Sequence, residues 1–244
     1  MTSTTAGDPL AGLLALEGVG SAYAAARDGI DVLLRDRGLR RTTPETTVES
    51  LLLGAHASAV LEGSASTLDE ARAGTGDAVA QAALRLSTEL LSLAPMLGRT
   101  PIQAFARLHA LAAAGSVEDE RLGRPRDAAS ADRLRGVAGL LSGGTTAPAL
   151  LVAAVVHAEI ATAAPFASHN GLVARAVERL VLVVRGVDEK SLTVPEAGHL
   201  ALRAAYESQL RGYRDGGTAG VHSWLLYAPE AYSAGAEASP LTTR

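Results

Sequence analysis

The side chains best suited to chemistry lie in one short segment, residues 164–175, with the sequence Ala-Pro-Phe-Ala-Ser-His-Asn-Gly-Leu-Val-Ala-Arg. Asn170 and Gly171 are expected to begin a helix, and the free N–H groups and dipole of a helix N-terminus favour an anion. Arg175 adds a cation to the same helix, and His169 is the nearest group that could take a proton. The segment therefore contains the parts of an anion-binding site.

A second informative segment, Ser58 to Gly63, lies about a hundred residues earlier in the chain. Gly63 is expected to end a helix, which places the Glu62 carboxylate at the C-terminal end of that helix. The helix dipole disfavours a negative charge there by about 0.3–1 kcal/mol. A cationic partner would remove this penalty, and Ser58, one turn earlier, can help to position the carboxylate. We therefore expect Glu62 to have a cationic partner; the alternative is that Glu62 is a surface residue of a capping turn.

The two segments resemble the two motifs of the Fic family. The Fic loop follows the pattern His-Pro-Phe-x-Asp/Glu-Gly-Asn-Gly-Arg-x-x-Arg, and the inhibitory motif follows Ser/Thr-x-x-x-Glu-Gly/Asn, here in the arrangement in which it precedes the loop. The matching positions are Pro165, Phe166, Asn170, Gly171 and Arg175 in the loop, and Ser58, Glu62 and Gly63 in the inhibitory motif. The resemblance is strongest over residues 43–186. It implies a Fic-like helical bundle and a reaction that transfers AMP from ATP to a hydroxyl group of a target protein.

Four positions depart from the family pattern, and three of these departures remove a charged or titrating group. Ala164 stands where the family has its general base, Ser168 where it has the carboxylate that holds Mg²⁺, and Leu172 where it has a phosphate-clamping arginine. His169 replaces the first glycine of the Gly-Asn-Gly turn. Loss of a general base alone typically lowers a rate by about 10²–10⁴. We therefore expect no catalytic residue, no metal site at Ser168 and no required cofactor, so that binding of ATP and magnesium becomes doubtful.

The first functional hypothesis is a pseudoenzyme that acts by binding or regulation. In the family, the second arginine contacts the outer phosphate of ATP, and the inhibitory glutamate blocks that contact by pairing with it. The resemblance implies these roles for Arg175 and Glu62, and we therefore predict a Glu62–Arg175 salt bridge between two helices. The pseudoenzyme hypothesis further predicts a cleft filled by Glu62 and by apolar side chains that include Leu172. The loop positions that could still bind a nucleotide or phosphate are Phe166, His169, Asn170, Gly171 and Arg175.

Two alternatives stay open. An enzyme with residual AMP transfer or nucleotide hydrolysis would use His169 and needs an open cleft with a metal and phosphate site. An interaction module would use the aromatic C-terminal segment, which contains Tyr213, Trp224 and Tyr227, for self-association or for a protein partner, because aromatic residues are enriched at interfaces.

The composition excludes several other classes of function. The 244 residues are 48% apolar but only 3% aromatic, which favours helices packed through Ala, Leu and Val. The net charge of −4 comes without a basic stripe, so nucleic acid is not an expected partner. The absence of cysteine excludes disulfides and thiol chemistry. Without a leader-like N-terminus or an apolar run long enough to span a bilayer, we expect a cytoplasmic protein that does not enter a membrane.

The helices that must position these residues are predicted to form one all-α domain over residues 8–234, with loose tails at 1–7 and 235–244. A capping box at Thr43 opens a helix that ends at Gly63. Residues 115–131 are expected to form an exposed loop, with at most a vestigial β-hairpin near 118–128. Residues 150–156 are apolar all round, as in a central helix, and His157 is expected to be a core histidine bonded to a backbone carbonyl. Further helices are predicted over 77–93, from 101 onward, and near 131–142, 148–162, 171–186, 195–214 and 218–233.

Overall fold

The computed structural model describes residue 8, residues 10–35 and residues 42–242. This part of the chain is helical and contains no strand, which confirms the all-α prediction. The vestigial hairpin near 118–128 does not form; a short 3₁₀ turn, Asp119–Arg121, lies there instead. The α-helices are α1 Val19–Leu33, α2 Pro44–Leu61, α3 Leu68–Ala73, α4 Ala78–Glu89, α5 Ala94–Arg99, α6 Pro101–Ala113, α7 Ala128–Ser142, α8 Ala149–Ala163, α9 Asn170–Val184, α10 Pro195–Ala201, α11 Arg203–Asp215 and α12 Gly217–Glu237.

Helix α8 forms the centre of the bundle, as its uniformly apolar sequence predicts. The side chains from Leu150 to Ala158 are all buried, and α9 packs along this helix. Helices α7, α11 and α12 also contact α8. Because α8 and α9 are joined by residues 164–169, the packing of this central pair fixes the two ends of the loop.

Local signals set the ends of α2 as predicted. Thr43 accepts a hydrogen bond from the Thr46 amide, and the Thr46 hydroxyl accepts one from the Thr43 amide, which completes the capping box. At the other end, Gly63 has a φ of 91°, in the left-handed region that glycine adopts without steric cost. Glu62 is therefore the residue that caps α2.

The C-terminal part of the chain differs from the sequence prediction in two ways. The predicted helix over 195–214 is broken at Leu202 into α10 and α11. Helix α10 lies directly against α12, because Gly198 packs onto the Ala231 carbonyl and Val194 donates to the Gly235 carbonyl over 2.9 Å. A tertiary contact of this kind has no signature in the helical pattern.

The expected loose tail from residue 235 is also wrong over residues 235–242. Helix α12 continues to Glu237, and the Ser239 and Leu241 side chains beyond it are buried. The hydrophobic core runs from Leu10 to Ala236, so the end of α12 packs against the bundle. Residues 1–7 and 243–244, the other predicted tail residues, lie outside the described part of the chain.

Trp224 and Tyr227 lie in the core, and Tyr213 packs against it. These aromatic side chains therefore pack within the chain itself. Self-association itself stays a prediction.

Over the described residues, no helix combines the length and apolarity needed to cross a membrane.

Candidate functional site

The loop between α8 and α9 is a tight turn closed by the Asn170 side chain. Ala164 and His169 both have positive φ, 43° and 55°, although neither is glycine. The Phe166 amide donates to Asn170 Oδ1 over 2.9 Å, and Asn170 Nδ2 donates to the Phe166 carbonyl over 3.0 Å. Asn170 therefore shapes the loop from within while it begins α9, as the sequence predicts.

Phe166 anchors the loop in the core, and its partner was not identified from the sequence. Its ring stacks on His109 of α6, with centroids 4.3 Å apart and an interplanar angle of 6°. The Gly123 amide donates to His109 Nδ1 over 2.9 Å. Burial, assisted by the nearby His169, lowers the pKa of His109 to about 4, so this imidazole is neutral at physiological pH.

The segment from Gly123 to Arg126 runs beside the loop. The Arg126 amide donates to the Pro165 carbonyl over 2.9 Å, and the Arg126 guanidinium donates to the Ala163 carbonyl over 3.3 Å. The segment predicted as an exposed loop thus covers one side of the site through backbone contacts, although it forms no hairpin.

The predicted Glu62–Arg175 salt bridge is present, and this prediction is confirmed. Arg175 Nη2 lies 2.7 Å from Glu62 Oε1. The Arg175 side chain is only 2% exposed, whereas that of Glu62 is 32% exposed. Arg175 Nε also donates to the Ser58 hydroxyl over 2.8 Å, and Nη2 donates to the Ser58 carbonyl over 3.2 Å. Ser58 of α2 and Glu62, which caps α2, therefore both bind the Arg175 guanidinium.

Glu62 also covers the start of α9. A β-carbon added to Gly171 would overlap Glu62 Oε1 and lie 2.8 Å from Glu62 Cδ. The carboxylate thus sits against the backbone of the first turn of α9, where the partial positive charge of a helix N-terminus favours an anion. The place that the sequence predicts for an external anion is occupied by a carboxylate of the chain itself.

No protein-family profile matches the sequence, and no curated protein matches it. Solved structures do match: a Fic family protein from Desulfovibrio desulfuricans G20 superposes with a TM-score of 0.74 over 90% of this chain and 73% of that chain, at 16% identity. A segment of Fic-1 from C. elegans gives a TM-score of 0.66 over 88% of this chain and 70% of that chain, at 17% identity.

The chain has the Fic fold. On this fold, the four positions that depart from the Fic motif are occupied as follows. Ala164 offers only a methyl group, and the Ser168 hydroxyl lies 2.7 Å from His169 Nδ1. Leu172 is 2% exposed and belongs to the hydrophobic core. Burial lowers the pKa of His169, which is thereby neutral at physiological pH.

A second polar cluster lies in the core of this Fic-fold chain, behind Arg175, and no sequence motif indicated it. Tyr206 links the two, because its hydroxyl accepts from Arg175 Nη1 over 3.0 Å and lies 3.0 Å from His157 Nε2. Beyond them, Glu178 lies between His157 and His199. His157 is in the core as predicted, but its partners are these side chains rather than a backbone carbonyl.

Arg175, Glu178 and Arg179 of α9 are all buried. Arg179 is held by Glu196 over 2.9 Å and by the Ser191 hydroxyl over 2.6 Å. Burial acts to raise the pKa of Glu178, but the two neighbouring histidines outweigh it and hold the pKa below its usual range. The available signal was that three charged residues interrupt an otherwise apolar helix; the sequence gives no means of telling a solvated face from an internally paired one.

Proposed function

We propose that this Fic-fold chain is a pseudoenzyme that does not transfer AMP and that acts by binding or regulation. The observation that supports this most directly is the position of Glu62, whose carboxylate pairs with Arg175 and lies against Gly171 at the start of α9. The groups that would bind an outer phosphate are thereby engaged within the chain.

The loop itself lacks the means for the family reaction. Transfer of AMP to a hydroxyl needs a base that removes the hydroxyl proton. Ala164 cannot accept a proton, and the other titrating group of the loop, His169, lies at the N-terminal end of α9 with Nδ1 close to the Ser168 hydroxyl.

The side chains present do not suit a magnesium-bound triphosphate. Mg²⁺ prefers carboxylate ligands, and Ser168 supplies only a neutral hydroxyl at the family's metal position. Leu172 gives no donor to a phosphate and is buried in the core. The nearest carboxylate, Glu62, would repel a phosphate at Gly171 and already holds Arg175. We therefore infer that ATP and Mg²⁺ are not required by this chain.

Calorimetric titration with ATP and Mg²⁺ tests the proposal on the wild type, on Glu62→Ala and on Glu49→Ala. Glu49 is a matched control because it belongs to α2 and pairs with an arginine, Arg72, whose side chain is 47% exposed, against 2% for Arg175. We expect no binding by the wild type or the control. Binding by Glu62→Ala alone would mean that Glu62 blocks a surviving phosphate site, which agrees with the proposal.

An incorporation assay with ATP labelled at the α-phosphate separates the pseudoenzyme from the residual enzyme. We expect no label on the chain itself or on added protein substrates, for the wild type and for Glu62→Ala. Binding of ATP by the wild type together with incorporated label would overturn the proposal. If His169→Gln then abolished the label, the alternative of a residual AMP transferase that uses His169 would be favoured.

A further inference from the structure

The buried cluster behind the site brings three potential metal ligands together from three helices. His157 Nδ1 of α8, Glu178 Oε2 of α9 and His199 Nε2 of α10 converge, and the ligand atoms of these residues lie within 4.8 Å of one another. The carboxylate oxygen Oε2 is 2.9 Å from the His157 nitrogen and 3.0 Å from the His199 nitrogen. All three side chains are fully buried.

Each ligand is oriented by a tyrosine hydroxyl on its far side. His157 Nε2 lies 3.0 Å from the Tyr206 hydroxyl, and His199 Nδ1 lies 2.9 Å from the Tyr227 hydroxyl. The second oxygen of Glu178 accepts from the Tyr232 hydroxyl over 2.9 Å. Metal-binding histidines are typically held in this way, with the outer nitrogen bonded so that the inner nitrogen points at the ion.

The hydrogen bonds within the cluster leave one group unsatisfied. His157 Nδ1 lies close to Glu178 Oε2 but has no hydrogen bond of acceptable geometry, and it is one of four such buried side-chain atoms among the described residues. A fully buried carboxylate is costly unless a cation compensates it, and the two histidines beside Glu178 carry a positive charge only when they are protonated. Arg175 reaches the cluster only through the Tyr206 hydroxyl and already pairs with Glu62. An ion between the three ligands would satisfy the nitrogen and compensate the charge together.

We propose that His157, Glu178 and His199 form a structural site for one divalent transition-metal ion of the zinc type. Two imidazoles and a carboxylate match the ligand preference of Zn²⁺, whose bonds to nitrogen and oxygen are about 2.0–2.2 Å. Tetrahedral geometry at that bond length separates ligand atoms by roughly 3.3 Å. Binding therefore needs the nitrogens to move slightly away from Oε2 and the 4.8 Å span of the three ligand atoms to contract by about 1.5 Å. The ion would join α8, α9 and α10, and one coordination position is left for water or a hydroxyl group.

The enclosure of the site determines how it must be tested. Because the ligands are fully buried, the ion enters as the chain folds, and it is released when the chain unfolds rather than by exchange with a chelator. The full chain, free of any histidine tag, is therefore purified without chelator and unfolded in guanidinium. The metal released is measured by mass spectrometry. Chain unfolded and stripped in this way is then refolded with Zn²⁺, with Co²⁺ or with a chelator.

We expect about one zinc ion per wild-type chain, or uptake of one Zn²⁺ or Co²⁺ on refolding. Metal should raise Tm by about 5–10 °C relative to refolding with chelator, as for a tightly bound ligand on a domain of this size. His157→Gln and His199→Gln should lose the ion, whereas His222→Gln, on the surface of α12, should keep it. The Co²⁺ absorption spectrum gives a readout that does not depend on stability.

Three results would overturn the proposal. The first is wild-type chain that holds less than about a tenth of an ion and gains neither Tm nor a Co²⁺ spectrum on refolding. The second is retention of the ion by both cluster variants, which would place the metal elsewhere. The third is that refolding with metal raises the Tm of His222→Gln by the same amount as that of His157→Gln or His199→Gln. If a cluster variant does not fold, the refolding experiment on the wild type decides the question alone, because it needs no substitution.

Discussion

Substitution of Glu62 by alanine is the sharpest test of the contact between α2 and α9. The change removes a charge-assisted hydrogen bond of 2.7 Å to a guanidinium whose side chain is 2% exposed. Such bonds contribute about 1.5–3 kcal/mol. The dipole of α2 disfavours the carboxylate and that of α9 favours it, each by about 0.3–1 kcal/mol, so these two effects largely cancel. The contacts of Arg175 with Ser58 and Tyr206 remain.

We therefore expect Glu62→Ala to lower the free energy of unfolding by about 2 kcal/mol, which corresponds to a fall in Tm of roughly 4–8 °C. Glu49→Ala on the same helix removes an exposed pair and should cost about 0.5 kcal/mol or less. Urea unfolding followed by far-UV circular dichroism measures both variants, and the slope of the transition should not change. Equal costs for the two substitutions would refute the inference that the buried guanidinium depends on Glu62.

Three further predictions concern neighbouring residues. Gly171→Ala should displace the Glu62 carboxylate and lower stability. In the Glu62→Ala background the cost should be smaller, because only Arg175 Nη2, 3.2 Å from the added β-carbon, stays close; an additive double-mutant cycle would contradict this steric account. Tyr206→Phe should lower the free energy of unfolding by about 1–3 kcal/mol in urea unfolding, because it leaves a buried donor of Arg175 without its partner; a cost under 0.5 kcal/mol would show that the bond matters little. The pKa of His109 falls from 6.5 to about 4 on folding, so its contribution to stability is present above pH 6.5 and is lost as the pH falls towards 4. The free energy of unfolding should fall for this reason by at most roughly 2 kcal/mol between pH 7 and 5. The same pH series on His109→Gln should lack this decrease.

Local sequence patterns predicted much of the site because the residues concerned are set by short-range geometry. Asn170 begins a helix, and Gly63 ends one because it can adopt the left-handed conformation. The resemblance to the Fic motifs indicated Glu62 and Arg175 as a pair, and a carboxylate at the end of one helix and a cation near the start of another are electrostatically suited to each other. The pairing needs only one assumption about the fold, namely that the end of α2 lies beside the start of α9.

The polar cluster of the core could not be predicted in the same way. His157, Glu178 and His199 are separated by about 20 residues each, so no local period relates them. Charged residues on a helix usually face water, and only the packing of α8 and α10 against α9, together with the hydrogen bond from Tyr232 of α12, gives Glu178 its buried partners. The stacking of His109 on Phe166 was missed for the same reason, since it depends on where α6 passes the loop.

The sequence by itself therefore determined the helical class, the apolar central helix, the ends of α2 and the absence of a base at Ala164, because these depend on residue type and on neighbours within a turn or two. The tertiary structure alone decided that Glu62 lies against Gly171, that the predicted helix over 195–214 is interrupted at Leu202, and that three charged residues of α9 are buried among partners from other helices. Burial and pairing depend on which surfaces meet, and that information is spread over the whole chain.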